Sequence, residues 1–166
     1  MPNQIVIRPF EPALASHFET INKQWIEDMF VLENIDKQVL ENPQHHIIDK
    51  GGKIWFAEHP ELGILGTVAF WYKGNNNYEL TKMGVLKSAR GLKVGEVLLQ
   101  YVLNEAQLLG INQLFLLTNS KCESAIHLYE KNGFVHDKTV MQQYGQSYQR
   151  CDVAMLYNPN SEYIFS

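Results

Sequence analysis

E-L-T-K-M-G-V-L-K-S-A-R-G-L-K-V-G-E-V-L-L-Q-Y-V-L-N-E-A-Q-L-L-G, from Glu79 to Gly110, decides the fold, because its apolar spacing changes period partway along. Between Tyr78 and Leu86, the residues Tyr78, Leu80, Thr81, Met83, Val85 and Leu86 make a run of β-formers and apolar side chains that fits a largely buried strand. Val94, Val97, Leu98, Tyr101 and Val102 then recur at i, i+3, i+4, i+7 and i+8, one face of a helix. Gly110 predicts a left-handed stop to that helix, with Ile111 folding back over the last turn. The link between strand and helix, Lys87-Ser88-Ala89-Arg90-Gly91-Leu92-Lys93, gathers three cations at the helix start. Cations there oppose the helix dipole, so capping does not explain them. An anion held by the unpaired first-turn N–H groups does.

Outward from this stretch the chain reads as short alternating elements. Gln4 to Pro9 predicts a first strand stopped by proline. Ala13 to Phe30 predicts an amphipathic helix with Leu14, Phe18, Ile21, Trp25 and Met29 on one side. A short helix over Ile35 to Leu40 ends before Asn42-Pro43, and Gln44 to Gly52 reads as a polar loop. Lys53 to Glu58 and Ile64 to Tyr72 predict two strands, and Gly74-Asn75-Asn76-Asn77 a turn. Beyond the central helix, Leu114 to Leu117 reads as a buried parallel strand. Ser124 to Lys131 is a helix closed at Gly133. Phe134 to Gln142 and Arg150 to Tyr157 read as two final strands around a tip at Tyr144-Gly145-Gln146-Ser147.

The chain of 166 residues is read as one domain spanning 1–166, able to bury about two-thirds of its surface. A net charge of −4 argues against nucleic acid as the main partner, which needs a basic face. It mildly suits a cationic or amine substrate. Cys122 and Cys151 form neither a C-x-x-C pair nor a zinc spacing, which points to free thiols in a reducing compartment. The six histidines include no H-x-x-x-H set, so no metal site is expected. No signal-peptide pattern and no membrane-length apolar run is visible, so a cytoplasmic location and no membrane partner are expected. Gly91 and Gly95 make neither a dinucleotide fingerprint nor a phosphate loop followed by Lys-Ser/Thr.

R-G-L-K-V-G, preceded by a strand ending M-G-V, resembles the acyl-CoA-binding signature of the GNAT superfamily of N-acetyltransferases. That pattern is Gln or Arg, two residues, Gly, one residue, then Gly or Ala. Arg90 and Gly95 match it, Gly91 matches a frequent extra glycine, and Lys93 replaces the middle one. Lys93 keeps its N–H but carries a Cβ, which calls for an ordinary negative φ. A-I-H-L-Y-E-K-N-G-F, from Ala125 to Phe134, resembles the family's second signature, N-x-x-A-x-x-L-Y-x-x-x-G-F. The order β-α-α-β-β-β-α-β-α-β-β is also that of the family, so the resemblance covers nearly the whole chain. It implies a mixed, mostly antiparallel α/β (α+β) fold with about seven strands and about four flanking helices.

The resemblance further implies acetyl-CoA as co-substrate and a primary amine of a small molecule or peptide as acceptor, in a monomer or homodimer. Backbone amides over Arg90, Gly91, Leu92, Lys93, Val94 and Gly95 would hold the CoA pyrophosphate. Gly84 and Val85 would pair with the pantetheine arm. Cys122 stands where the signature has asparagine, so a weak thiol donor takes that place unless Asn119 or Ser120 upstream takes over the contact. Tyr129 matches the tyrosine that protonates the departing sulfur, and Glu79 stands where many relatives carry the base. The stripe of Trp25, Met29 and Phe30 reads chiefly as core, but its outer edge with Glu33 and Asp36 is a candidate lining of the acceptor pocket. Tyr144, Tyr148 and Arg150 are candidates to close that pocket from the last hairpin. Two plainer readings stand beside these: a strand-end ion pair for Glu79, and core packing with Ala125 and Leu128 for Tyr129. A non-catalytic acyl-CoA-sensing module is the alternative from a different class.

Overall fold

The computed structural model of the protein describes residues 4–159. Its strands are β1 (Val6–Pro9), β2 (Lys53–His59), β3 (Gly63–Tyr72), β4 (Asn77–Val85), β5 (Gln113–Thr118), β6 (Phe134–His136) and β7 (Val153–Tyr157). They form one sheet in the order β1-β2-β3-β4-β5-β7-β6. Every neighbouring pair is antiparallel except β4 and β5. This is the mixed, mostly antiparallel sheet the sequence predicts.

The helices are α1 (Ala15–Met29), α2 (Asn34–Glu41), α3 (Val94–Leu108), α4 (Glu123–Lys131) and α5 (Lys138–Tyr144). On one face of the sheet, Phe18, Ile21 and Ile26 of α1 pack with Val39 and Leu40 of α2 against Ile54, Phe56 and Ala69. On the other, Val94, Leu98, Leu99, Val102, Leu103 and Ala106 of α3 pack on Phe70, Leu80, Leu114 and Leu116, with Tyr129 of α4 alongside. The buried stripe of α3 is therefore turned from the one predicted: Tyr101 is 40% exposed, and Leu99 and Leu103 take the inner side. Gly110 does stop α3 in the left-handed region at φ +63, with the Ile111 N–H donating back to the Ala106 carbonyl.

Two stretches differ from the sequence reading. Gln44 to Ile48 is a π turn, closed by the Asp49 N–H on the Gln44 carbonyl at 2.8 Å, and it buries Ile47 completely. The strand predicted over Phe134 to Gln142 ends at His136, and α5 replaces its second half. Thr139 and Val140 favour a strand by propensity, but Asp137 caps a helix instead, its side chain accepting the Val140 N–H at 2.8 Å. Val140 then packs on Phe115 and Ala154. The tip expected around Tyr144 to Ser147 is accordingly the end of α5 and a 3₁₀ turn, not a hairpin. No helix among the described residues is long and apolar enough to cross a membrane.

Removing the cap by Asp137→Ala should lower unfolding free energy by about 1 kcal/mol, read from the urea midpoint at constant slope. An unmoved midpoint would mean packing of Val140 alone holds α5.

Candidate functional site

β4 and β5 pair at three positions only, Asn77 with Gln113, Tyr78 with Leu114 and Glu79 with Phe115. Past Glu79 they part. The parting coincides with a bulge in β4: Thr81 pairs with Ala69 and Gly84 with Thr67, so Lys82 and Met83 stand opposite Val68 alone. Lys82 takes φ +51 there, a left-handed conformation that bends the strand. A cleft of about 550 Å³ opens between the diverging strands, lined by Leu80–Val85, Leu116–Asn119, the start of α4 and the C-terminal end of α1.

At one end lies the basic turn. Gly91 and Lys93 are left-handed at φ +90 and +59, so Lys93 departs from the negative φ expected of it. It is the N-cap of α3, and no side chain caps the helix there. The Val97 N–H reaches the Lys93 carbonyl, which leaves the first-turn amides of Val94, Gly95 and Glu96 without an intrahelical acceptor. Arg90 and Gly95 line the cleft, while Val94 is buried in the core and Leu92 packs against it. A Cβ built on Gly95 would meet Met83 and Leu128 at ordinary distances of 3.5 and 3.7 Å. Packing therefore does not require glycine at 95, and what lies there is a first turn of N–H groups beside Arg90, a donor set suited to an anion. Of the three cations, Lys87 is paired with Asp28 at 2.9 Å and ties the turn to α1.

Across the cleft, Tyr129 is 7% exposed, its ring edge-on to Phe134. Burial, together with Cys122 nearby, pushes its hydroxyl well above the ordinary tyrosine range, so it holds its proton. Cys122 is the N-cap of α4, a free thiol lining the cleft. Asn119 also lines it, but its amide donates to the Arg150 carbonyl at 2.7 Å and its oxygen accepts the Lys121 N–H. Gly84 needs its missing side chain: a Cβ there would lie 2.5 Å from Cδ1 of Trp25. The Trp25 indole thus lies on the β4 backbone, its Nε1 donating to Asn22.

The other end is built on a buried ion cluster. Asp36, fully buried, accepts two bonds from the Arg150 guanidinium (2.6 and 2.8 Å), one from the Glu33 backbone, and faces Lys82 Nζ at 2.9 Å. Burial opposes its charge, yet Arg150 and Lys82 hold its carboxyl down at about 2. Burial pushes the Lys82 ammonium down from its usual range, with Asp36 pulling the other way. Glu33 accepts the N–H groups of Gln149 and Arg150. The Tyr148 ring lies beside both cations, 4.7 Å from Lys82 Nζ and 5.0 Å from the Arg150 guanidinium carbon.

Glu79 is 1% exposed and lies outside the cleft lining. One oxygen accepts the Tyr148 hydroxyl at 3.1 Å; the other has no hydrogen-bond partner among the described residues and sits 3.6 Å from Lys73 Nζ. Glu33 likewise stands behind the wall, tying α2 to the segment before β7. Tyr144 is stacked on Phe115 with ring centroids 4.1 Å apart, away from the cleft, and Tyr148 is the tyrosine that faces it. Asp36, Tyr148 and Arg150, expected around the acceptor pocket, meet in this cluster with Lys82, which the sequence reading does not place in the site. The signal available for Lys82 was a lone charge inside an otherwise apolar run.

Titration of Asp36 should be visible in stability. Its folded-state value lies below that of an unfolded aspartate, so the contribution is full above pH ~4 and fades as pH falls toward 2, by about 2 kcal/mol in total. Asp36→Asn, which strands Lys82 and Arg150, should lose about 3–5 kcal/mol at neutral pH and flatten that acid limb. Urea melts between pH 2 and 7 measure both, and parallel curves would remove the cluster from the account.

A family model described as Acetyltransferase (GNAT) domain matches residues 50–136. Among solved structures, an acetyltransferase of the GNAT family from Staphylococcus aureus Mu50 superposes with a TM-score of 0.82 at 24% identity, over 94% of this chain and 99% of that one. An acetyltransferase from Streptococcus agalactiae gives 0.72 at 16% identity, over 93% and 98%. Spermidine N-acetyltransferase from Vibrio cholerae, in complex with CoA and spermine, gives 0.68 at 19%, over 97% and 98%. At such identities these neighbours establish the fold. No curated protein matches the sequence.

Proposed function

The chain belongs to the GNAT acetyltransferase family, and on that premise we propose that it transfers the acetyl group of acetyl-CoA to a primary amine by direct attack in a ternary complex. The carrying observation is the first turn of α3, whose amides at Val94, Gly95 and Glu96 lack an intrahelical acceptor and whose Gly95, with Arg90, lines the cleft that Tyr129 also lines. Those amides and Arg90 would hold the diphosphate of CoA. The unpaired edge of β4 at Gly84 and Val85 would hydrogen-bond the pantetheine amides and aim the thioester past Trp25. Fixing both reactants this way is worth roughly 7–11 kcal/mol of the barrier.

An alkylamine with a pKa near 10 arrives protonated and must lose a proton before it attacks. Glu79 is the base in this scheme. It reaches the cleft through the Tyr148 hydroxyl, which takes a proton from the amine as it passes its own to Glu79. The amine nitrogen then bonds to the acetyl carbon, the carbon–sulfur bond breaks, the sulfur takes the Tyr129 proton, and the second proton shed by the nitrogen as it becomes an amide returns through solvent to the Tyr129 oxygen. Burial keeps the hydroxyls of Tyr129 and Tyr148 protonated at neutral pH, as both roles need.

Thiol release from acetyl-CoA over a panel of amines tests the activity. A thermal shift with CoA but no thiol release on any amine would instead mark a binding module. Tyr129→Phe should lower kcat by about 10–1000-fold with acetyl-CoA affinity nearly unchanged; an equal loss in both would make Tyr129 a packing residue. Glu79→Gln should move the rate profile toward higher pH, and an unmoved profile removes it from proton transfer.

A further inference from the structure

The charges around the acceptor end of the cleft restrict what can enter it. Glu33 and Asp36 are wholly engaged, facing Arg150, Lys82 and backbone N–H groups. Glu79 is shut behind the Tyr148 hydroxyl and beside Lys73. Of the residues lining the cleft, one is acidic, Glu123, exposed at the start of α4. Four are basic: Lys82, Arg90, Lys121 and Arg150. Arg90 belongs to the phosphate turn, and Lys82 and Arg150 are matched by the buried acids. Lys121 is left exposed, with no ion pair among the described residues, its Nζ 5.7 Å from the Phe30 ring. Arg150 approaches the same ring at 5.9 Å, and Trp25 and Met29 continue the apolar surface beside it.

A polycationic acceptor would find a single open carboxylate, Glu123, two residues from the unmatched Lys121 ammonium, and no further acid free to receive its other charges, an unfavourable like-charge meeting in a partly enclosed site. A molecule carrying one amine, an apolar or aromatic body and a carboxylate meets each feature: Trp25, Met29 and Phe30 for the body, and Lys121 for the carboxylate. We infer that the acceptor is an apolar or aromatic α-amino acid, held by Lys121 through its carboxylate, and not a polyamine. The inference rests on the acetyl-transfer reading and narrows it to a substrate class.

The test pairs each amino acid with its decarboxylated amine: phenylalanine with phenethylamine, leucine with isoamylamine, and spermidine as the polycation. Thiol release is measured with acetyl-CoA, and rates are expressed per neutral amine so that differences in basicity drop out. The amino acid of at least one pair should exceed its amine and spermidine in kcat/KM by about tenfold, the size of one charge-assisted contact. Lys121→Glu, and to a lesser degree Lys121→Ala, should collapse that ratio. Equal rates within both pairs, spermidine as the best acceptor, or a ratio indifferent to Lys121 would overturn the inference while leaving acetyl transfer standing. Thiol release on none of these amines would take down both.

Discussion

The parting of β4 from β5 after Glu79 and Phe115 is the constraint on which the site depends. A strand inside a sheet normally pairs along both edges, because buried N–H and C=O groups left alone are costly. Here β4 stays bonded to β3 out to Val85, while its other edge loses its neighbour after three positions. The bulge at Lys82 and Met83 supplies the bend. What remains is a strip of open backbone inside the molecule, an arrangement suited to an extended, amide-bearing chain. Gly84, having no side chain, lets the Trp25 indole close down on that strip.

The same bulge explains where the buried charge comes from. A left-handed residue in mid-strand sends the Lys82 side chain toward α2, where its ammonium lies 2.9 Å from Asp36. Burying Asp36, Lys82 and most of Arg150 carries a desolvation penalty that good geometry only offsets. In return the cluster fixes α2, β4 and the segment before β7 relative to one another. Tyr148 lies beside both cations with its hydroxyl on Glu79, so this wall of the cleft is positioned by a buried network of charges.

Much of this architecture was legible in the sequence. The change from a continuous apolar run to helical spacing between Tyr78 and Val102 located β4 and α3, and glycine placed the ends of α3 and α4 where they are. What sequence reading missed depends on tertiary contact. Helix α5 exists because the Asp137 carboxylate closes its first turn, an outcome that local propensity at Thr139 and Val140 argues against. The Asp36 cluster joins residues more than a hundred positions apart, and no spacing rule links Asp36 to Arg150. Tyr144 and Tyr148 look alike in the sequence; the 3₁₀ turn of three residues between them leaves one on Phe115 and the other lining the cleft.

Lys93 carries a final implication. A side-chain-bearing residue held left-handed costs roughly 1–2 kcal/mol relative to its relaxed form. Here that residue also adds a positive charge to the positive pole of α3, close in sequence to Arg90. Both penalties shrink once a dianion sits on the turn, since the charge is neutralised and the backbone shape is then rewarded. Were a polyanion to bind here, its loading and the local folding of this loop would be thermodynamically linked, and resistance to heat would rise with its concentration.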